Sequence, residues 1–300
     1  MTLAACGTTP PDAPPPATNH PTIVSLNPCA DAILAEIAPP HQLLAISHYS
    51  HDPASSSMPA AQAAQYPATG GTAEEVLALA PQVVVADAFL APATRAALER
   101  GGVRVEQVGI AGTLADSLAQ IRQLGALTGE PERAERLATR IETAWHNAAY
   151  TGPQIDTLLW QSGGIVPGEA ALVATMLDHT GFALHSAARG LGQGAYLPLE
   201  QVLADPPQLV LAAGDERMLT HPVLRHADGI AWREFDPKLT FCAGPTIIRA
   251  LARLQEIRAD LKTPLPLAGG AGGGPVPALA HPDPNTPSPQ PPPASVRGSA

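Results

Sequence analysis

The sequence has few cysteines, few basic residues, few aromatic residues and no long apolar run. Three cysteines among 300 residues exclude a disulfide-rich scaffold. Lys and Arg number 17 against 27 Asp and Glu, and without a basic cluster the chain lacks the phosphate contacts that supply affinity for nucleic acid. No apolar run reaches the ~20 residues needed to span a bilayer, which argues against an integral membrane protein. Aromatic residues make up 4%, so a ligand site must depend on few rings.

Proline, in contrast, is abundant and unevenly placed. Half of the 34 prolines lie in two terminal stretches, residues 7–21 and 264–300. Neither composition supports a buried core, so we expect a semi-extended spacer in the first stretch and a disordered Pro/Gly-rich tail at 264–300. Residues 22–263 remain as the folded part, which is long enough for one or two cores.

The segment around Cys6 has the form of a bacterial lipobox, in which the cysteine receives lipid after signal cleavage. Only five residues precede Cys6 and none is basic, so either the start codon lies upstream or the match is accidental. The Pro-rich spacer that follows favours the lipoprotein interpretation. We therefore expect residues 1–21 to be a lipobox remnant and linker, with a free thiol at a disordered start as the alternative.

Within the folded part, short apolar strands alternate with helices. The predicted strands of the first half are residues 22–26, 43–47, 82–86 and 103–108, and the helices between them are 30–37, 74–79 and 92–100. This alternation is typical of a parallel sheet covered on both faces. It restarts after residue 150, with strands at 157–161 and 208–213 and a closing helix at 244–261.

The intervening residues 113–150 show helical spacing of apolar side chains, and their second helix of ~18 residues would be ~27 Å long. We therefore predict an α/β protein with two Rossmann-like lobes that contain parallel sheets, residues 22–112 and 151–263. The lobes are joined by the connecting helices of 113–150, with a single long backbone helix as the hinge. The ligand site expected of this layout is the crevice between the lobes.

Two segments carry a more specific pattern. The first is Ile-Val-Ser-Leu-Asn-Pro at 23–28, continued by Asp31 and by residues 44–50; the second is residues 70–86, which contain Glu-Glu-Val-Leu-Ala-Leu-Ala-Pro-Gln-Val-Val-Val. A weaker copy of the second segment occupies residues 196–211. These segments resemble class III periplasmic solute-binding proteins, the receptors of ABC importers for cobalamin, ferric siderophores and haem.

The resemblance covers residues 22–262, and residues 242–249 are similar to the start of the family's last helix. It implies a non-enzymatic, monomeric receptor without a cofactor, with an interlobe cleft for a metal chelate and lobe surfaces that dock on a transmembrane permease. By motif match, Glu74 and Glu200 are the glutamates that meet arginines of the permease. The alternative is that both are helix-start glutamates stabilised by the helix dipole.

Ligand contacts are expected from loops that follow the strands. The loop after residue 47 resembles a ligand-contacting loop of cobalamin receptors, and the opposite lobe offers an aromatic ring and a guanidinium. The predicted ligand-binding residues are His48, Tyr49, Ser50, His51, Trp160 and Arg189. The alternatives are a surface turn for residues 48–52, a core tryptophan at a strand end, and a solvated arginine.

The cargo is left open by two observations. Cobalamin receptors carry tryptophans that align near Ala68 and Asp87, and both rings are missing here, which keeps ferric siderophores and haem as candidates. His48 and His51 also permit direct binding of a transition metal, so a free-metal receptor is one alternative. A metal-dependent hydrolase is a weaker one, because no hydrolase or nucleotide-binding motif occurs.

Cys29 and Cys242 both fall in loops on the expected cleft side. A disulfide between the lobes would lock the hinge and requires Cα atoms within ~7 Å. We therefore expect two free thiols, buried or in the cleft, with the interlobe disulfide as the alternative. The predicted protein is a periplasmic, membrane-anchored lipoprotein that captures a corrinoid, ferric siderophore or haem between its lobes.

Overall fold

The computed structural model describes residues 20–227 and 229–261. Cys6 and the tail 264–300 lie outside the described residues. The elements of the N-terminal lobe are β1 (Ile23–Ser25), α1 (Pro28–Ile37), β2 (Leu43–Ser47), a 3₁₀ turn (His48–His51), α2 (Ala60–Ala63), β3 (Ala68–Thr69), α3 (Ala73–Ala78), β4 (Val83–Ala86), α4 (Pro92–Arg100) and β5 (Arg104–Gln107). No helix in the described part is both long and apolar enough to cross a membrane.

Two helices connect this lobe to the second one. They are α5 (Leu114–Thr128) and α6 (Pro131–Ala148). The elements of the C-terminal lobe are β6 (Ile155–Gln161), a 3₁₀ turn (Ser162–Gly164), β7 (Ile165–Val166), α7 (Leu172–His179), β8 (Phe182–Leu184), α8 (His185–Ala188), β9 (Ala195–Tyr196), α9 (Leu199–Ala204), β10 (Leu209–Ala213), α10 (Pro222–Arg225), β11 (Ala231–Glu234), α11 (Lys238–Phe241) and α12 (Thr246–Asp260).

The sheet of the N-terminal lobe is parallel throughout, as predicted. Its five strands lie in the order β3-β2-β1-β4-β5. All four residues of β4 are buried, because helices cover both faces and leave no solvated side. The carboxyl ends of the five strands therefore meet at one edge of the sheet.

The sheet of the C-terminal lobe is mixed, which differs from the all-parallel expectation. Its order is β11-β10-β6-β7-β9, with β8 paired to the other end of β6. Strands β7 and β9 run antiparallel to their neighbours. The physical cause is the 3₁₀ turn after β6, which reverses the chain so that Ile165 pairs with Gln161. The reversal needs positive φ at Gly163 (73°) and Gly164 (76°), a conformation that glycine adopts without steric cost.

The long hinge helix is α6, and its 18 residues match the predicted length. It packs against α1 of the N-terminal lobe and against α12 of the C-terminal lobe. One continuous apolar core runs from Ile23 in β1 through Ile141 in α6 to Leu211 in β10. Relative movement of the lobes must therefore repack a shared core, and this favours a stiff connection.

Cys29 and Cys242 form a disulfide with a Cα–Cα distance of 5.2 Å, so the expectation of two free thiols is wrong. The reason is the path of the chain just before α12. The Gly244 N–H donates to Ser117 Oγ of α5 at 3.0 Å, and Gly244 lies against Ile33 of α1. This packing carries Cys242 across to the start of α1, where Cys29 is located.

Candidate ligand-binding cleft

A cavity of about 590 Å³ lies between the lobes. Its C-terminal-lobe wall is formed where β6, β10 and β11 end, the edge at which open α/β sheets bind ligands. Its lining consists of Ala54 from the N-terminal lobe and of Gln161, Ser162, Ile165, Ala213, Gly214, Asp215, Glu234, Phe235, Pro237 and Phe241 from the C-terminal lobe. The wall is thus largely apolar, with a few polar groups at its corners.

Two glycines shape this wall by the absence of a side chain. A Cβ on Gly214 would lie 2.5 Å from Glu216 Oε2 and 2.6 Å from Ser162 Oγ, so glycine leaves room for these two side chains to pack against the backbone of the wall. A Cβ on Gly164 would lie 2.6 Å from the Met218 methyl group and 2.7 Å from the Tyr196 ring. These side chains close over Gly164 and place the Tyr196 ring beside the end of β6.

The predicted ligand loop of the N-terminal lobe is held by a buried carboxylate. Asp31 Oδ2 accepts hydrogen bonds from Ser47 N at 3.0 Å and from Ser50 Oγ at 2.6 Å. Ser50 is therefore buried and committed to Asp31, and its predicted role as a ligand contact is wrong. Its function in the structure is to fix the 3₁₀ turn that carries Tyr49.

Asp31 is fully buried, and its Oδ1 accepts no hydrogen bond from any residue in 20–227 or 229–261. Burial raises the pKa of this carboxyl to about 7, although hydrogen bonds from the surrounding serines favour the ionised form. Sequence reasoning noted Asp31 only as part of a motif. Its position four residues after Asn27, the N-cap of α1, gives no signal that it reaches the loop after β2.

The continuation of this loop crosses the cleft and touches the C-terminal lobe. Ser57 Oγ donates to the Lys238 carbonyl at 2.6 Å, and the Arg249 guanidinium donates to the Ser57 carbonyl. Ala54, three residues earlier, thereby enters the cavity wall. The loop after β2 is thus a joint between the lobes as well as part of the site.

The remaining residues of the predicted ligand loop, His48, Tyr49 and His51, are exposed on the N-terminal lobe. Tyr49 is 52% exposed, and its ring centroid lies 4.0 Å from that of His48. His48, Tyr49 and His51 are not themselves part of the cavity lining, so their contact with a ligand stays a prediction. Across the two described ranges, no three His, Cys, Asp or Glu side chains cluster closely enough to hold a metal ion, and the alternative of a site on His48 and His51 gains no support.

Trp160 does not face the cleft, and its predicted ligand contact is wrong. The ring is 0% exposed, and its Nε1 donates to the Leu197 carbonyl at 3.0 Å. Side chains alternate along β6, so Leu159 faces the shared core whereas Trp160 faces the separate outer core of the C-terminal lobe. Gln161, the next residue, is the one that reaches the cavity.

Arg189 lies at the opposite end of the C-terminal sheet, so its predicted ligand contact is wrong as well. Its Nε donates to the Asp205 carboxylate and its NH1 to the His185 carbonyl. Asp205 precedes β10, whereas the cavity lies where β10 ends. The ion pair holds the pKa of Asp205 below its ordinary value, and both charges are used within the lobe.

Glu74 and Glu200 occupy equivalent places in the two lobes. Each is the second residue of a six-residue helix, α3 or α9, that leads into a central strand. Both carboxylates are exposed, and neither forms an ion pair or hydrogen bond with a residue in the described ranges. The sequence repeat thus corresponds to a structural repeat, with one unengaged carboxylate on each lobe.

Four exposed apolar or aromatic residues near the cleft were missed in the sequence. Phe89 is 77% exposed after β4 and Ile110 is 81% exposed after β5, at the same sheet edge as Tyr49. The C-terminal lobe adds Tyr196, which is 58% exposed, and Phe241 in the cavity wall. The sequence did contain a signal for two of them, because Phe89 and Ile110 are apolar residues in loops that directly follow predicted strands.

The sequence model of the family described as "Periplasmic binding protein" matches residues 23–229. The chain resembles the periplasmic haem-binding protein RhuT from Roseiflexus sp. RS-1 in its apo form, with 23% identity, a TM-score of 0.63, and coverage of 81% of this chain and 99% of that one. It also resembles the periplasmic vitamin B12-binding protein BtuF of Vibrio cholerae, with 19% identity, a TM-score of 0.62 and coverage of 81% and 98%.

A third similar structure is a periplasmic haem-binding protein from Pseudomonas aeruginosa, with 23% identity, a TM-score of 0.57 and coverage of 82% and 96%. At these identities the similarity establishes the fold. No curated protein matches the chain in sequence.

Proposed function

Because the chain belongs to the periplasmic binding protein family, we propose that its interlobe cavity binds a bulky metal chelate and presents it to an ABC permease. The chain is the solute-binding component of an ABC importer, and it is a periplasmic and non-enzymatic protein. The chelate classes that fit the proposal are a cobalamin-like corrinoid, a ferric siderophore and haem. RhuT and BtuF, which share the fold, are described as binding haem and vitamin B12.

The observation that carries the proposal is the cavity at the strand ends. Its volume of about 590 Å³ falls within the ~300–1,000 Å³ of small-molecule sites and far exceeds what a bare ion needs. Ile165, Pro237 and Phe241 supply apolar surface. Gln161 and Ser162 supply hydrogen-bonding groups. Such a wall suits a large, partly apolar guest.

The N-terminal lobe adds exposed aromatic and alkyl side chains, against which a flat chelate can pack. Tyr49, Phe89 and Ile110 follow β2, β4 and β5 and are all exposed. Aromatic side chains stack against planar ligands over a large area at low entropic cost. We assign these three residues to the ligand face of the N-terminal lobe, with His48 and His51 as polar neighbours.

Delivery requires a defined orientation on the permease. Two separated carboxylates, Glu74 and Glu200, would fix that orientation by engaging two basic pockets. Lipidation at Cys6 would hold the monomeric receptor at the membrane. The disulfide between Cys29 and Cys242 supports a periplasmic location, because such bonds persist in oxidising compartments.

The test is a binding measurement on the intact protein. Native mass spectrometry of freshly purified protein identifies any retained chelate, and calorimetric titration with cyanocobalamin, haemin and ferric siderophores measures affinity. We expect micromolar or tighter binding of at least one class, and Phe241→Ala should weaken it about tenfold. Leu79→Ala, which truncates an exposed apolar residue at the opposite end of the N-terminal sheet, is the matched control. Dissociation constants above about 1 mM for every class would overturn the proposal.

A further inference from the structure

The charged groups that line the cavity are acidic. Asp215 and Glu234 belong to its wall, and no Lys or Arg from residues 20–227 or 229–261 does. Asp52 lies on the facing loop, two residues before the cavity residue Ala54. Negative charge is therefore present in the wall of the C-terminal lobe, and Asp52 adds one on the loop that contributes Ala54.

Asp52 is held in its ionised form. Ser55 Oγ donates to its Oδ2 at 2.6 Å and Ala54 N donates to its Oδ1 at 2.9 Å. These hydrogen bonds lower the pKa of Asp52, because they stabilise the carboxylate rather than the acid. At neutral pH this position contributes a full negative charge.

A further carboxylate lies directly behind the wall. Glu216 Oε2 is buried and accepts no hydrogen bond from the described residues, and it packs against Gly214 of the cavity wall. The basic residues of the surrounding loops, Arg217 and Lys238, do not line the cavity. Asp52 and Glu216 do not line it either, so the charged groups of the wall itself are the two carboxylates of Asp215 and Glu234.

We infer that this cleft selects neutral or cationic chelates and discriminates against anionic ones. The inference rests on the proposed function. Clefts with low-dielectric walls focus the field of their charges onto the ligand, and juxtaposed like charges disfavour the wrong partner. The propionates of haem and the strongly anionic ferric catecholates are opposed by Asp215 and Glu234 in the wall. Ferric hydroxamates with a free ammonium group, and corrinoids whose rim carries amide N–H donors, match these acceptors.

The experiment compares probes that differ in charge. Ferrioxamine B carries an ammonium group, cyanocobalamin is neutral, and haemin and ferric enterobactin are anionic. Calorimetry should show that ferrioxamine B, cyanocobalamin or both bind at least about tenfold more tightly than haemin or ferric enterobactin. Raising the salt to about 1 M, where the Debye length is ~3 Å, should weaken binding of ferrioxamine B and leave that of cyanocobalamin nearly unchanged.

A charge-neutralising variant tests the named residues. Asp215→Asn/Glu234→Gln should weaken the binding of ferrioxamine B about three- to tenfold and strengthen the binding of ferric enterobactin by a similar factor. Glu142→Gln/Asp260→Asn, which removes the same charge from exposed positions on α6 and α12, should change neither affinity. Tightest binding of an anionic probe, or equal effects of the two variants, overturns the inference while the proposed function stands. Failure of all four probes contradicts the proposed function and the inference with it.

Discussion

Cys29, at the start of α1 in the N-terminal lobe, is covalently bonded to Cys242, the residue after Phe241 in the cavity wall. The bond therefore joins the two lobes at the edge of the cleft. Together with α6 and the core shared by both lobes, it restricts how far the cleft can open. Ligand entry in this protein should need a small movement of loops and side chains more than a wide rotation of the lobes.

Removal of this bond should destabilise the protein. The cysteines are 213 residues apart, so the bond restricts a very long loop in the unfolded chain, and Cys29→Ser/Cys242→Ser should lower the free energy of unfolding by about 2–5 kcal/mol. Urea unfolding of the oxidised wild type and the variant measures the change. Dithiothreitol should bring the wild type to the stability of the variant and leave the variant unaffected; an equal stability of the oxidised wild type and the variant would contradict the expectation.

The equivalent positions of Glu74 and Glu200 predict a transport defect without a binding defect. Both carboxylates are exposed and lie outside the cavity, so Glu74→Ala/Glu200→Ala should leave the ligand affinity unchanged. Uptake through the permease should fall at least about tenfold, because two charge-assisted contacts are lost at the docking surface. The matched control is Glu99→Ala/Glu142→Ala, which removes two other exposed glutamates. Full uptake by the Glu74/Glu200 variant would remove the docking role.

The fold was predictable from the sequence because its strands are short, apolar and β-branched. Residues 82–86 were predicted as a buried strand, and β4 occupies Val83–Ala86 with every residue buried. The helix predicted at 92–100 is Pro92–Arg100 in the structure. Strands β7, β8 and β9 were not predicted, since each has only two or three residues and a periodicity cannot be read over so few positions.

The site was less predictable because it depends on which face a side chain takes and on distant contacts. Leu159 and Trp160 are both apolar, so the sequence does not tell which of them faces the outer core. The disulfide joins Cys29 to a residue in the other lobe, and no local pattern signals such a pairing. The hydrogen bond from Ser50 to Asp31 likewise joins the 3₁₀ turn to α1, two elements that are separated in the chain by strand β2.

The buried carboxyl of Asp31 predicts a pH-dependent stability. Its folded pKa of about 7 exceeds its ordinary value of 3.8, so between these pH values the folded protein binds more protons than the unfolded chain. The stabilisation from this group is fully present below about pH 4 and is lost as the pH rises through 7, with a slope of at most about 1.4 kcal/mol per pH unit. Asp31→Asn should remove this slope, since an amide does not ionise.

Urea unfolding at about pH 5 and about pH 8 measures the slope. Asp260→Asn, at an exposed position at the end of α12, should retain the wild-type slope. An Asp31→Asn variant with the same pH dependence as the wild type would show that another group is responsible.

Phe89 and Ile110 are expected to contribute to binding and not to stability. Their side chains are 77% and 81% exposed, so truncation creates no cavity and Phe89→Ala/Ile110→Ala should change the free energy of unfolding by less than about 0.5 kcal/mol. The same variant should weaken binding of the chelate about tenfold or more, because apolar surface that the ligand covers contributes roughly 25 cal/mol per Å² to the binding free energy. Leu203→Ala, on α9 and away from the cavity lining, should leave the affinity unchanged. A loss of stability with an unchanged affinity would place Phe89 and Ile110 outside the ligand face and leave the cleft with the C-terminal wall as its main apolar surface.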